Sequence, residues 1–239
     1  MIRAFIFDLD GTLVETELLK AKAYASVSQD LLRLSAPDER AIDVYRRIVG
    51  ATDETAARAM VEELGLDRVL PGDSEAGWRE LNRLQADRYR SEFATGDGLR
   101  SVAYEHSIEL LRAQSASGKL VAVATSSFTE DAERVTEELG IRSVLNALVG
   151  RDQVTNGKPD PEIYLKTSEI LGVEPDEVVV VEDSATGLEA AVRAGMRCIA
   201  IASAFSGDGL RAQTLLDQRW CVYDPSDLQG VVARHLREA

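Results

Sequence analysis

The sequence predicts an α/β fold, because short apolar segments alternate with longer segments whose apolar residues recur about every 3.6 positions. Several of the longer segments are followed by a glycine, the residue that most often closes a helix in the left-handed conformation. One long region after the first apolar segment has the helical pattern alone. Together these observations predict a Rossmann-like parallel sheet core with an inserted, all-helical domain.

The predicted core elements are short strands separated by helices. The strands are expected over residues 4–7, 120–124, 147–149, 178–181 and 198–202. The helices are expected over 107–114, 129–139, 161–171 and 186–194, and they end near Gly118, Gly140, Gly172 and Gly195. Fully apolar strands that alternate with helices are typical of a parallel sheet that is buried on both faces.

The region 15–97 has a different pattern from the rest of the chain. Its helical segments cover residues 18–34, 38–49, 54–64 and 74–93, and none of it resembles a buried strand. We therefore predict a core of residues 1–14 and 98–239 and a helical cap domain of residues 15–97. An insertion directly after the first strand is expected beside the carboxyl ends of the strands, where α/β folds place their binding sites.

Composition excludes several classes of protein. The chain has 27 basic and 41 acidic residues, a net charge of −14, so we expect neither a nucleic-acid partner nor a membrane partner. Its two cysteines, Cys198 and Cys221, fit neither a disulfide framework nor a zinc site, which favours a reducing, cytoplasmic compartment. No apolar run approaches the roughly 18 residues of a membrane helix.

Acidic residues follow two of the predicted strands. Asp8 and Asp10 end the first strand, and Glu182 and Asp183 follow the strand over 178–181. Each pair alone is also compatible with an ordinary turn or a helix cap. Both pairs together would place four carboxylates near one crevice, which is costly unless a cation neutralises them. Hard oxygen ligands of this kind favour Mg²⁺.

Two further groups suit an anion. Thr125, Ser126 and Ser127 end the strand over 120–124 and precede a helix, where hydroxyls and backbone N–H groups can bind phosphate or can simply cap the helix. Lys158 lies between Gly157 and Pro159, which restricts a loop lysine that would otherwise be expected in solvent. Each signal is weak alone, but together the four strand-end groups are far more specific.

In this order the groups resemble the motifs of the haloacid dehalogenase superfamily over essentially the whole chain. The segment Phe7-Asp8-Leu9-Asp10-Gly11-Thr12-Leu13-Val14 is similar to the first motif, and Thr125-Ser126, Gly157-Lys158-Pro159 and Glu182-Asp183 are similar to the second, third and fourth. The helical insertion resembles the cap of the branch that includes phosphoglycolate phosphatase and β-phosphoglucomutase.

The resemblance implies a role for each residue. Asp8 is expected to be the nucleophile that forms an aspartyl-phosphate, and Asp10 the acid and base. Thr125, Ser126 and Lys158 are expected to bind the phosphate. The metal residues are expected to be Asp8, Asp10 through its backbone carbonyl, Asp183, and Glu182 through metal-bound water.

The expected function is a magnesium-dependent phosphatase that hydrolyses a small organic phosphate ester, such as a sugar phosphate or phosphoglycolate. Asp10 argues against a dehalogenase, whose halide leaving group needs no proton. A β-phosphoglucomutase-like phosphomutase is the alternative, and a non-enzymatic binding module is disfavoured. Mutases commonly have His at the position of Lys20 and basic residues around the loop Val49-Gly50-Ala51-Thr52-Asp53. We expect Lys20 to contact the substrate, a small phosphorylated metabolite.

Overall fold

The computed structural model describes residues 1–48, 52–72 and 74–238. The chain divides into two compact units. We call Met1–Glu15 with Val102–Ala239 the sheet unit, and Thr16–Ser101 the helical unit. Among the described helices, none combines the length and the apolar character that crossing a membrane requires.

The helical unit contains helices without a strand in its described part. These are α1 (Thr16–Leu32), α2 (Arg40–Ile48), α3 (Asp53–Leu64), α4 (Ser74–Arg88) and α5 (Gly96–Ser101), with a π-helical turn over Tyr89–Phe93. Its core includes the buried side chains of Tyr24, Met60, Leu66 and Leu81. An apolar core of its own explains why this region has helical periodicity throughout.

The sheet unit is built on a parallel sheet that has six strands within the described residues. They are β1 (Ala4–Phe7), β2 (Leu120–Ala124), β3 (Ala147–Val149), β4 (Val178–Glu182), β5 (Arg197–Ile201) and β6 (Cys221–Val222). Their order is β3-β2-β1-β4-β5-β6. The predicted Rossmann-like α/β fold is confirmed. The short strand β6 was not predicted.

Helices flank this sheet and cover its apolar strands. They are α6 (Glu105–Ala116), α7 (Thr129–Glu138), α8 (Glu162–Leu171), α9 (Ala185–Arg193), α10 (Gly207–Ala212) and α11 (Leu228–Arg237). Every residue of β1 and β4 is buried, because these central strands have neighbours on both edges and side chains packed on both faces.

The two chain segments that lead into and out of the helical unit are paired within the sheet unit. The backbone N–H of Glu15 donates to the carbonyl of Val102 at 2.9 Å, and that of Tyr104 donates to the carbonyl of Leu13 at 2.9 Å. Both ends of the insertion are therefore fixed at one place in the sheet unit.

Candidate active site

The carboxyl ends of the central strands bring the predicted polar residues of the sheet unit to one edge. Because β1 lies between β2 and β4 and all three are parallel, the segments that follow them begin side by side. Asp8 and Asp10 follow β1, Thr125 and Ser126 follow β2, and Lys158 precedes α8. Glu182 is the last residue of β4, and Asp183 follows it.

Lys158 is a buried cation that joins two of these acids. Its Nζ lies 2.6 Å from Asp8 Oδ1 and 2.7 Å from Glu182 Oε1. The Lys158, Asp8 and Glu182 side chains are only 4%, 8% and 1% exposed. Buried charges are tolerated when they are paired and hydrogen-bonded, so these three side chains hold one another in position.

Both oxygens of Glu182 accept hydrogen bonds from protein donors. Oε1 accepts from Lys158 Nζ and from the Tyr164 hydroxyl at 3.3 Å. Oε2 accepts from the backbone N–H of Ser184 at 2.6 Å and from its hydroxyl at 3.0 Å. Because a carboxylate has about four acceptor positions, these contacts use its capacity. Any contact of Glu182 with metal-bound water would have to compete with them.

Tyr164 belongs to the site, although sequence analysis did not identify it. Its side chain is fully buried on α8, and the Lys158 ammonium lies 5.0 Å from its ring centroid. This aromatic face adds an attractive cation–π contact to the enclosed lysine. In the sequence, Tyr164 is one aromatic residue within a helical pattern. Its hydroxyl, which needs a partner when buried, was the only available signal.

The Asp10 carboxylate is oriented by hydroxyls that follow β2. Its Oδ2 accepts from Thr125 Oγ1 at 3.1 Å and from Ser127 Oγ at 2.7 Å. The backbone N–H of Ser127 also donates to Thr125 Oγ1 at 3.0 Å. Ser126 is exposed. Sequence analysis considered the segment Thr125-Ser126-Ser127 but assigned phosphate binding to Thr125 and Ser126, because the turn geometry decides which of two adjacent serines points inward.

Asp183 is buried against the loop that follows β1. Gly11 in that loop has φ of +87°, and a Cβ built there would lie 2.2 Å from Asp183 Oδ2. The Thr12 hydroxyl donates to Asp183 Oδ1 at 3.5 Å. Gly11 is therefore required both for its backbone conformation and for the close approach of Asp183.

Comparison with known proteins identifies this combination of fold and strand-end residues. Residues 5–201 match the model of a family described as haloacid dehalogenase-like hydrolase. The chain belongs to this family. The predicted superfamily membership is confirmed, and the matched range contains all of the strand-end residues described above.

The similar proteins include phosphatases. The chain is 33% identical over 198 residues to a phosphorylated carbohydrates phosphatase of Thermotoga maritima, which covers 83% of this chain and 84% of that protein. It is 33% identical over 207 residues to a phosphoglycolate phosphatase of Salmonella typhimurium, with coverage of 81% and 79%. A crystal structure of a putative β-phosphoglucomutase from T. maritima is similar, with a TM-score of 0.75, 27% identity, and coverage of 98% and 99%. This hydrolase is accordingly an enzyme of the phosphoric monoester hydrolase class.

Burial and neighbouring acids set the charges in the site of the hydrolase. Burial raises the pKa of Asp8 to about 7, against the lowering effect of Lys158 and with a further increase from Glu182 and Asp10. Burial and the charges of Glu182 and Asp8 also raise the pKa of Asp183 well above its ordinary value. Burial lowers the pKa of Lys158, but its acidic partners outweigh this and keep the ammonium charged. The site therefore contains more acidic side chains than the single positive charge of Lys158 can balance.

The donor set fits a magnesium ion. Among the residues that the structure describes, no three His, Cys, Asp or Glu side chains are grouped so as to hold a metal. Asp8 and Asp183 are buried carboxylates beside this edge of the sheet, and burial raises the pKa of both, so they are the ligand candidates. Magnesium typically binds through one or two carboxylates and keeps several water ligands. A cation there would also relieve the repulsion between the two acids.

Lys20 lies in the helical unit, on α1. Its Nζ is 2.8 Å from Glu17 Oε1, and the Tyr45 hydroxyl donates to Glu17 Oε2 at 2.6 Å. Its charge is thus already paired within that unit. Of the loop that we compared with the mutases, residues 49–51 lie outside the described residues.

Proposed function

We propose that this chain is a magnesium-dependent phosphatase that hydrolyses a small organic phosphate ester, of the sugar phosphate or phosphoglycolate type, through an aspartyl-phosphate intermediate. The observation that carries the proposal is the buried Asp8 carboxylate, 2.6 Å from Lys158, with the oriented carboxylate of Asp10 two positions along the same strand end. The names of two relatives, a phosphorylated carbohydrates phosphatase and a phosphoglycolate phosphatase, support this substrate class.

Asp8 is proposed to be the nucleophile. One of its carboxylate oxygens attacks phosphorus, a bond forms between that oxygen and phosphorus, and the bond to the ester oxygen breaks. Lys158, held by Asp8 and Glu182, is placed to attract the phosphoryl oxygens as their charge redistributes. Glu182 is then a residue that positions Lys158, which is the role that its contacts support.

Asp10 is proposed to move the protons. As an acid it gives a proton to the departing alkoxide, and as a base it then takes a proton from the water that hydrolyses the aspartyl-phosphate. The hydroxyls of Thr125 and Ser127 fix the direction of its carboxyl group. We therefore propose that Thr125 serves Asp10 as well as the phosphate, and that Ser126 contributes to phosphate binding at the exposed mouth of the turn.

A magnesium ion would be held by the carboxylates of Asp8 and Asp183 and by the backbone carbonyl of Asp10. When bound, it supplies positive charge that lets an anionic nucleophile approach an anionic phosphate. The surplus of buried acids over Lys158 supports this assignment. Lys20 is proposed to contact the part of the substrate that is not phosphate.

A phosphomutase is the second candidate, because a solved structure with a TM-score of 0.75 is a putative β-phosphoglucomutase. The two activities share the chemistry at Asp8 and differ in what accepts the phosphoryl group. A mutase would require a bisphosphate activator and would return an isomer of its substrate, whereas a phosphatase releases inorganic phosphate.

Phosphate release from a panel of sugar phosphates and phosphoglycolate tests the proposal. We expect release with Mg²⁺, none after EDTA, and none from Asp8→Asn, while Asp97→Asn at the fully exposed Asp97 retains full activity. Isomerisation without phosphate release would favour the mutase. Release that persists in Asp8→Asn or in EDTA would contradict the proposed mechanism.

A further inference from the structure

The loop that carries Lys158 is bound by a carboxylate from the helix that follows it. We call residues 154–158 the lysine loop. Glu162, the first residue of α8, accepts from the backbone N–H of Thr155 at 2.8 Å with Oε1 and from that of Asn156 at 2.8 Å with Oε2. The Asn156 side-chain amide donates to the same Oε2 at 3.1 Å. Both oxygens of Glu162 are therefore bound to the lysine loop, three and two positions before Lys158.

These hydrogen bonds depend on the negative charge of Glu162. An ionised carboxylate accepts on both of its oxygens, whereas an amide has only one oxygen to accept with. The backbone N–H groups of Thr155 and Asn156 are the main cause of a pKa of Glu162 below its ordinary value, against a smaller opposing effect of burial. The carboxylate is thus charged at neutral pH, and charge-assisted hydrogen bonds are roughly twice as strong as neutral ones.

Arg151 is a second anchor of the lysine loop. Its guanidinium donates to the carbonyl of Val154 at 3.1 Å. A Cβ built on Gly157 would lie 2.9 Å from Arg151 Nε and 3.3 Å from its Cδ, so the arginine side chain packs against this glycine. The backbone N–H of Arg151 donates to the carbonyl of Ser127 at 2.9 Å. Arg151 therefore links the lysine loop to the turn whose hydroxyls orient Asp10.

The fixed backbone explains how a flexible side chain occupies one position. The Lys158 side chain is only 4% exposed, and its Nζ lies 2.6 Å from Asp8 Oδ1 and 2.7 Å from Glu182 Oε1. A lysine side chain loses much rotamer freedom when it is held in this way. If its backbone were also mobile, more freedom would be lost and the ammonium would be less well placed. Contacts that fix the lysine loop therefore act on the ammonium indirectly.

We propose that Glu162, together with Arg151, is a positioning residue that fixes the lysine loop so that the Lys158 ammonium stays beside Asp8. This inference rests on the proposed function, because it takes Lys158 as the group that attracts the phosphoryl oxygens. The loss of a hydrogen bond to a charged group typically changes an equilibrium by about tenfold or more. A displacement of about 1 Å in a site can cost about 10²-fold in rate.

Brief acetylation of the purified full chain with acetic anhydride, followed by mass spectrometry of the lysine peptides, tests the proposal without an activity assay. It measures how readily the Lys158 amine leaves its buried position, relative to the exposed Lys22. We expect Glu162→Ala to raise this ratio about tenfold or more. Glu162→Gln, which keeps one acceptor oxygen, should give an intermediate ratio. Acetylation of Lys119, whose ammonium donates to a backbone carbonyl elsewhere in the sheet unit, should not change, which distinguishes a displaced loop from general unfolding.

Two further measurements connect the lysine loop to the reaction. In assays with p-nitrophenyl phosphate, kcat/KM should fall about tenfold or more in Glu162→Ala, while the Mg²⁺ concentration for half activity stays unchanged. Arg151→Met, which keeps an extended side chain but removes the donor to the Val154 carbonyl, should change both the acetylation ratio and kcat/KM in the same direction and by less. The matched control is Glu169→Ala at an exposed position of the same helix, which should behave like the unmodified chain.

Lys158→Met separates the two levels of inference. If Lys158→Met is inactive while Glu162→Ala has normal acetylation and normal kcat/KM, the positioning role is refuted and the proposed function stands. A raised acetylation ratio in Glu162→Ala with unchanged kcat/KM would also refute the positioning role, because the displaced loop would not affect the reaction. If Lys158→Met keeps full activity, the role proposed for Lys158 is wrong and the positioning role falls with it.

Discussion

Glu182 shows how a single buried residue is defined by its partners. Its carboxylate accepts from four donors, which belong to Lys158, Tyr164 and Ser184. Of these donors, only the Lys158 ammonium is charged. A carboxylate that is enclosed in this way balances the lysine and fixes its position. The phosphate-binding role proposed for Lys158 therefore depends on Glu182.

Replacing Glu182 with Gln tests that dependence. The Gln side chain has the shape of Glu but no negative charge. Its NH₂ group is a donor and would face other donors, so Lys158 loses its ion pair with residue 182. We expect the rate of phosphate release to fall by about 10²-fold or more. The free energy of unfolding should fall by about 3–5 kcal/mol, the usual cost of breaking a buried pair. The concentration of Mg²⁺ for half activity should stay unchanged.

Kinetics and urea unfolding of Glu182→Gln provide these values, and Glu189→Gln on α9, which pairs with Arg193 at the surface, is the control. A large rise in the Mg²⁺ requirement, with stability preserved, would show instead that Glu182 serves the metal.

Several of the residues that sequence analysis identified lie at strand ends, where an acid interrupts an apolar pattern. Asp8, Asp10 and Glu182 are of this kind, since charge at such a position is easily distinguished from packing. Ser127 and Tyr164 are not, because a serine in a turn and a tyrosine on a helix each have an ordinary explanation. Their contacts depend on the direction of the side chain, which requires coordinates.

At the scale of elements, the junction of β4 and α9 leaves no space between strand and helix. Gly187 lies in the first turn of α9, and a Cβ at this position would lie 1.6 Å from Glu182 Oε1. The close approach lets Ser184 both cap the helix, by accepting from Gly187 N–H at 3.1 Å, and donate to Glu182. The same serine therefore caps α9 and binds the buried carboxylate of Glu182.

Gly187→Ala is therefore expected to be destabilising although alanine favours helix. The added methyl group must displace Glu182, and we expect a loss of about 1–3 kcal/mol in the free energy of unfolding together with reduced turnover. Gly230→Ala in α11, where a Cβ would meet nothing within 4 Å, should instead be neutral or stabilising by up to about 1 kcal/mol. Equal effects of the two substitutions in urea unfolding would contradict this account of the junction.

Helix α11 contains a buried histidine, His235, that is not part of the candidate active site. His235 on α11 packs edge-on against Trp220, with ring centroids 4.5 Å apart, and no described residue hydrogen-bonds either ring nitrogen. Burial lowers its pKa below 6.5, with a further decrease from Arg197 and Arg219 and an opposing increase from Glu238. The folded state therefore favours the neutral ring.

The sign of the pH dependence follows. Because the pKa is lower in the folded state, the contribution of His235 is fully present above pH of about 6.5 and is lost as the pH falls toward the folded-state pKa. His235→Phe should reduce the decline in the free energy of unfolding between about pH 7 and pH 5, by at most about 1.4 kcal/mol per pH unit. Urea unfolding at several pH values measures this, with His106→Asn at the exposed His106 as control. A decline identical to that of the unmodified chain would exclude His235 as its source.

The elements that the sequence predicted are those with a long pattern or a strong break. Strands β1 to β5 are apolar runs bounded by polar residues, and α1, α3 and α8 have helical periodicity with a clear end. Strand β6 has only two residues, too few to show alternation, and its pairing with β5 depends on the rest of the sheet. Helix α10 is similarly short, so tertiary context rather than local pattern decides it.

At the scale of the whole molecule, the helical unit enters and leaves the sheet unit at one point. The backbone N–H of Glu15 and the carbonyl of Val102 are 2.9 Å apart, so the ends of an excised insertion already lie together. A short linker closes such a gap at little entropic cost. The sheet unit also has a core of its own, with buried residues such as Ile6, Tyr164 and Val180.

We therefore expect a chain in which a short Gly/Ser linker replaces Thr16–Ser101 to fold. It should give an α/β circular dichroism spectrum and a cooperative thermal transition. The separate Thr16–Ser101 segment should give a helical spectrum. A linker variant without a cooperative transition would show that the sheet unit needs the insertion for stability.

The proposed chemistry is tested most directly by trapping the covalent intermediate. A substrate with a radiolabelled phosphoryl group is mixed with the enzyme and Mg²⁺, the reaction is quenched in acid within one turnover, and the labelled peptide is identified. We predict label on the peptide that contains Asp8, released by hydroxylamine as expected of an acyl phosphate, and no label in Asp8→Asn. Product formation without protein-bound label, or label on a different residue, would contradict the mechanism.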